Sequence, residues 1–254
     1  VSGWNASFQR ARANGAIPAR ATRTPSTCIW NSPLRPARAD LRLQARLFRE
    51  ILRVGAISSL SALQTVLTAV VLTGLVGRFG TAALAGYGVG IRLALLQVPL
   101  VFAIGQALVA LVGTHAGAGR AGRAKRIAWT GAAMAAVVSA VIGFGAAFFP
   151  AAWVTLFSAD PAVLEAGSLY LRIVGPLYPM LGISVALYFA SQGIGRVVWP
   201  MLAGTARLAI VVAGGMAAVA LGAPIWALFA VIALGIFVLG SVTAWAVYRS
   251  DWKR

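Results

Sequence analysis

Ten side chains in this sequence sit where their surroundings make them costly. Gln64, Thr68, Gln97, Gln106, Tyr178, Tyr188 and Gln192 stand inside long apolar runs, as do the arginines Arg92, Arg172 and Arg207. A run of about 20 such residues at ~1.5 Å each is long enough to cross ~30 Å of hydrocarbon. There is no water there to solvate polar groups, so such side chains must face other helices or a wet cavity. Amides and phenols at helical spacing suit a cavity wall that holds an amphipathic organic molecule by aromatic and apolar contact. Ser58, Ser61, Gln64, Thr65 and Thr68 share one broad face of the first run. Ser, Thr and Gly have a competing use, since small residues let membrane helices pack closely.

The arginines differ in depth. Arg92 and Arg172 lie in the outer parts of their runs and can reach headgroups by extending their stems. Arg207 is deeper, roughly 15 Å along its helix from Val197. A charge near the bilayer centre costs at least ~2.5–3.5 kcal/mol, so Arg207 is expected to face protein or water.

The acids carry the opposite message. Asp40, Glu50, Asp160, Glu165 and Asp251 are all the chain has, and none falls in the middle of an apolar run. No paired carboxylates or nucleophile–base pair is available to run a reaction, so an enzyme is not expected. Cys28 and His115 are the sole cysteine and histidine, which leaves no intrachain disulfide and no metal-ligand spacing; neither metal nor cofactor is expected.

The elements that must position these groups follow from composition. With 60% hydrophobic and 11% charged residues in 254, the chain is far from a soluble domain, where about 25% are charged. An all-α integral membrane protein is expected. Six apolar stretches are read as spans, at 54–76, 84–113, 127–149, 163–190, 197–221 and 225–248, together a six-transmembrane-helix bundle over 54–248. Pro99 marks a bend in the second, and the GPLYP sequence at 175–179 breaks the fourth. Residues 40–53 place Arg42, Arg46, Arg49 and Arg53 on one stripe, as an amphipathic surface or connector helix does, with Asp40 as its N-cap. Residues 1–39, basic and free of acids, are read as a disordered tail, and 249–254 as a cytoplasmic tail.

The net charge of +17 would suggest nucleic acid in a soluble protein. Here the bases alternate between loops, and nucleic acid is not an expected partner. Ten arginines precede the first span, Arg120, Arg123, Lys125 and Arg126 follow the second, Arg196 follows the fourth, and Arg249, Lys253 and Arg254 follow the sixth. The intervening loops hold only Arg78 and the acids Asp160 and Glu165. Basic loops stay in the cytoplasm, so both termini are expected inside a plasma (inner) membrane, with the bases touching anionic lipid.

The stretches AGYGVGIRLALLQVPLVFAIGQALVALVGTHAGAG (85–119), ALYFASQGIGRVVWPMLAGTARL (186–208) and LFREILRVGAISSL (47–60) resemble the multidrug and toxic compound extrusion (MATE) transporters. The resemblance covers about 43–221. It implies a twelve-helix fold of two six-helix bundles, of which this chain looks like the C-terminal half, and hence a second six-helix bundle as partner. It also implies xenobiotic efflux coupled to protons or sodium ions. Bacterial relatives often carry an acid where this chain has Ala94; a coupling carboxylate is thus expected from elsewhere. The glycines of 117–122 are read as a pivot or a flexible linker. Two alternatives stay open: a flippase or exporter of lipid-linked or anionic substrates, using Arg92, Arg172 and Arg207, and a non-transporting remnant that needs a partner bundle.

Overall fold

A lipid-exposed backbone has to satisfy its own hydrogen bonds, and each apolar run does so as a helix. The computed structural model describes residues 45–250, and among them there is no strand. The helices are α1 (Ala45–Gly77), α2 (Thr81–Gly117), α3 (Ala121–Phe148), the short α4 (Pro150–Val154), α5 (Pro161–Val174), α6 (Tyr178–Gly193), α7 (Val198–Ala220) and α8 (Ile225–Arg249). α5 and α6 form one membrane crossing, joined by a 3-10 turn at Gly175–Leu177. Six segments are long and apolar enough to span, so the protein is a six-span membrane bundle.

The readings for residues 1–39 and 251–254, and the Asp40 cap, lie outside the described residues. Of the expected surface helix, 45–53 runs on without a break as the start of α1, and Arg49 is exposed. The GPLYP break appears where expected: Pro176 and Pro179 lack N–H donors, and the backbone tightens into the 3-10 turn between α5 and α6. α2, by contrast, continues as one helix through Pro99.

Local signals fix the ends. Asp160 accepts a hydrogen bond from the Ala162 amide at 2.9 Å, and Pro161 opens α5. Gly119 closes α2 with φ +74°. Its amide donates to Ala116 O at 3.0 Å, and that of Arg120 to His115 O at 3.0 Å, the paired bonds of a Schellman motif. The same pairing closes α6 at Gly195 and α7 at Gly222. The chain therefore leaves α2 through a capped end, with the carbonyls of Thr114, His115 and Ala116 engaged, and Ala121 and Gly122 already belong to α3.

α6 is the hub, packed on α2, α3 and α8; α5 packs on α2 and α8, and α7 on α8. α1 makes few close main-chain approaches to any other helix. Two cores divide the bundle along its length. One is aromatic, with Tyr87, Tyr170, Tyr178, Leu171, Phe229 and Ile232. The other is built of small residues, with Ala124, Ala128, Ala132 and Ala135 of α3 against Leu108, Ala186 and Leu187, the kind of surface that lets helix backbones approach. A Cβ on Gly86 would stand 2.6 Å from Gly167 N, so α2 and α5 touch there main chain to main chain. Lys125 Nζ donates to Tyr248 O and lies 4.8 Å from that ring's centroid, which brings the basic hinge and the end of α8 to one end of the bundle.

Candidate functional site

The polar face of α1 is largely satisfied by its own helix. Ser61 Oγ donates to Ile57 O at 3.1 Å, Thr65 Oγ1 to Ser61 O at 3.0 Å, and Thr68 Oγ1 to Gln64 O at 2.7 Å. Thr68 is buried as well, so its hydroxyl is spent on the backbone. Two groups reach across. Gln64 Nε2 donates to Thr205 Oγ1 of α7 at 2.7 Å, and Gln192 Nε2 of α6 donates to Ser58 Oγ at 3.4 Å. These bonds form a polar seam between α1 and the α6–α7 pair. Gln64 Oε1 is enclosed and has no hydrogen-bond partner. It lies over Gly204, where a Cβ would stand 2.9 Å from it.

The other sequence candidates fall elsewhere. Gln97 is 1% exposed, and its carbonyl oxygen has no partner. Gln106 is exposed. Tyr188 is half-buried, with its ring edge-on to Phe189 at 5.8 Å. Tyr178 is 1% exposed and belongs to the aromatic core. The structure thus brings Gln64 and Gln192 to one seam, with Ser58 and Thr205 as partners.

The three arginines do not share an environment. Arg92 is exposed and lies over Phe157, 5.1 Å from the ring centroid. Arg172 is exposed, two residues beyond Tyr170 and so about 200° around α5 from it. Arg207 is half-buried, with Nε enclosed and unpartnered. Its stem packs where Gly235 of α8 leaves room, Cγ being 3.3 Å from where a Cβ would stand. Tyr87, Tyr170 and Arg207 lie within electrostatic reach of one another, and Tyr178 within reach of both tyrosines. The Tyr87 and Tyr170 rings meet edge to face at 5.3 Å, and Tyr170 meets Phe229 the same way at 5.3 Å.

Tyr87 was not among the residues singled out from sequence, and neither was Thr205. A signal for Tyr87 exists: it lies between Gly86 and Gly90, a small-xxx-small pair that marks the packed side of α2.

Fold and seam together define a multi-pass, all-helical membrane bundle with polar groups held between its spans. The chain belongs to the MatE family of membrane transporters, whose model matches residues 58–215. It is similar to the "Probable multidrug resistance protein NorM" of Thermotoga maritima, 26% identical over 154 residues, covering 61% of this chain and 33% of that protein. It is also similar to the "FAD transporter" of Shewanella oneidensis, 27% identical over 140 residues, covering 55% of this chain and 31% of that one. Among solved structures, the MATE transporter ClbM in complex with Rb+ superposes with a TM-score of 0.75 at 25% identity, covering 82% of this chain and 48% of that one. A MOP superfamily transporter from Pyrococcus furiosus shares the fold, with a TM-score of 0.70 at 14% identity over 79% of this chain and 44% of that one. The chain spans about a third of the length of the curated relatives it matches.

Proposed function

We propose that the chain forms the C-terminal six-helix lobe of a MATE-type efflux transporter, working against a second six-helix bundle. The cargo is an amphipathic organic molecule, exported across the plasma membrane in exchange for protons or sodium ions, with both termini in the cytoplasm. The observation that carries this reading is the seam: Leu72, Leu75 and Val76 anchor one end of α1 in the core, while its Ser58–Gln64 stretch meets α6 and α7 through Gln64–Thr205 and Gln192–Ser58, and among the described residues α1 makes few close main-chain approaches. A helix pinned at one end and held by polar bonds along the rest is suited to part from its neighbours there around a substrate. The names of the two curated relatives support an organic cargo.

The acids with described side chains, Asp160 and Glu165, lie at the start of α5, where Asp160 serves as the cap. The coupling carboxylate therefore comes from the other bundle. Coexpression with the N-terminal six-span half of a MATE-family relative, in cells stripped of efflux pumps, tests the reading. Extrusion of an amphipathic organic dye, tried in both cationic and anionic form, is expected from the pair, collapsing with the ion gradient, and not from the chain alone. A pair that assembles in the membrane and extrudes no dye or organic anion overturns it.

A further inference from the structure

The tyrosine–arginine cluster lacks acceptors. A guanidinium has five N–H donors and accepts nothing, and a phenol hydroxyl carries one further donor. Arg207 Nε and Tyr87 Oη are both enclosed without a hydrogen-bond partner, and Tyr87 is more than nine-tenths buried. Among the described residues no carboxylate pairs with Arg207, and no group of His, Cys, Asp and Glu could hold a metal ion. A cation or a positively charged drug would be repelled there. An oxyanion supplies both the negative charge and several acceptor lone pairs in one plane, the arrangement that a guanidinium fork engages.

The position fits a binding site. Arg207 is the tenth residue of α7, roughly 14 Å from that helix's Val198 end. Tyr87 is the seventh residue of α2 and Tyr170 the tenth of α5, so the cluster joins three helices within the membrane. Arg207 is half-buried, and its long stem rests on Gly235, where no side chain obstructs it. Arg92 and Arg172 are exposed and take no part.

We propose that Arg207, with the hydroxyls of Tyr87 and Tyr170, binds an oxyanion, the carboxylate or phosphate of the transported molecule, inside the bundle. The inference rests on the transport reading and gives its cargo a chemical class: amphipathic and acidic.

The test uses the full chain in phosphatidylcholine nanodiscs, titrated with inorganic phosphate, with benzoate, and with tetraphenylphosphonium as the cationic comparison. Binding is read by calorimetry and by the shift in melting temperature. Phosphate or benzoate is expected to bind saturably, and Arg207→Gln to weaken it at least about tenfold, as loss of a charge-assisted pair does. Tyr87→Phe removes only an unsatisfied hydroxyl, so the ligand-free melting temperature should hold or rise while anion binding weakens about three- to tenfold. This variant decides the matter if Arg207→Gln does not fold. A second arm replaces part of the phosphatidylcholine with phosphatidylglycerol and omits free anion. An Arg207-dependent rise in melting temperature there assigns the oxyanion to a lipid headgroup; its absence, with phosphate or benzoate binding intact, assigns it to a soluble cargo. Failure of the wild type to bind in either arm, or binding unchanged in the Arg207 and tyrosine variants, overturns the site. Saturable, Arg207-dependent binding without export by the coexpressed pair leaves the site standing and removes the transport reading; export without such binding does the reverse.

Discussion

The ring of Tyr170 lies directly on the main chain of Gly90, with Cδ1 and Cε1 occupying the space a Cβ would need. The contact locks α5 to α2 beside the cluster and leaves no room for even a methyl group. Gly90→Ala should therefore cost about 1–3 kcal/mol, the usual penalty for overpacking a filled core. Gly88, one position from Tyr87, has nothing within 4 Å of its Cβ direction. Gly88→Ala should be neutral or stabilising by up to ~1 kcal/mol, since it removes only glycine's excess freedom. Thermal unfolding of both variants in the same detergent checks the pair.

The seam bond between Gln64 and Thr205 predicts a measurable coupling. In a double-mutant cycle with Gln64→Met and Thr205→Val, the interaction term should be near ~0.6 kcal/mol and no greater than ~1.7 kcal/mol, the range for hydrogen bonds between membrane helices. In the coexpressed pair, each single variant should lower efflux more than it lowers thermal stability. Strict additivity would mean that the seam is a contact without consequence.

Gly119 carries φ +74° at the end of α2. A side chain there meets the steric cost of the left-handed region, about 1–2 kcal/mol. Gly119→Val should lower the melting temperature, whereas Gly117→Ala, with nothing within 4 Å of the added methyl, should not. If the segment worked as a loose linker, the two substitutions would be equally harmless.

Lys125 ties the basic hinge to the end of α8 through Tyr248 O and its ring. Lys125→Met removes both interactions, at a cost of about 0.5–1 kcal/mol for an exposed cation–π pair. Hydrogen exchange should quicken over the last turn of α8, residues 245–249, and remain unchanged in α6. Raising salt should reduce the difference between wild type and variant, because the contact is exposed and screened.

The spans were legible because hydrocarbon imposes length and internal hydrogen bonding on every crossing. The fourth was readable down to its break, since Pro176 and Pro179 cannot donate. Ends were blurred by a few residues: 84–113 was expected where α2 runs Thr81–Gly117. The five residues of α4 are too short for a period to show. Trp153 pins it, its Nε1 donating to Val89 O at 3.0 Å. Facing was harder to read than extent. Lipid and protein core are equally apolar, so nothing in the letters separates buried Leu93 from exposed Leu95 and Leu96. Among polar residues, type alone cannot reveal that Thr68 spends its hydroxyl on its own helix while Gln64 reaches a neighbour. Tyr87, near the start of its span, reads as an interfacial aromatic until Gly86 and Gly90 are seen to turn that side inward. The glycines, not the hydrophobic residues, carried the information about which side packs.

An arginine side chain keeps its charge throughout the physiological pH range, and Arg207 holds its own inside the bundle with no countercharge among the described residues. Any rearrangement that shifts α7 along the membrane normal moves that charge through the transmembrane field. The work is about 2.3 kcal/mol for a complete passage at 100 mV, and proportionally less for a partial one. An acidic cargo seated on the guanidinium cancels the moving charge, so the loaded stroke is electrically silent and the empty return stroke is not. The cell's voltage, acting on one side chain, would then set the direction in which the unloaded lobe comes to rest.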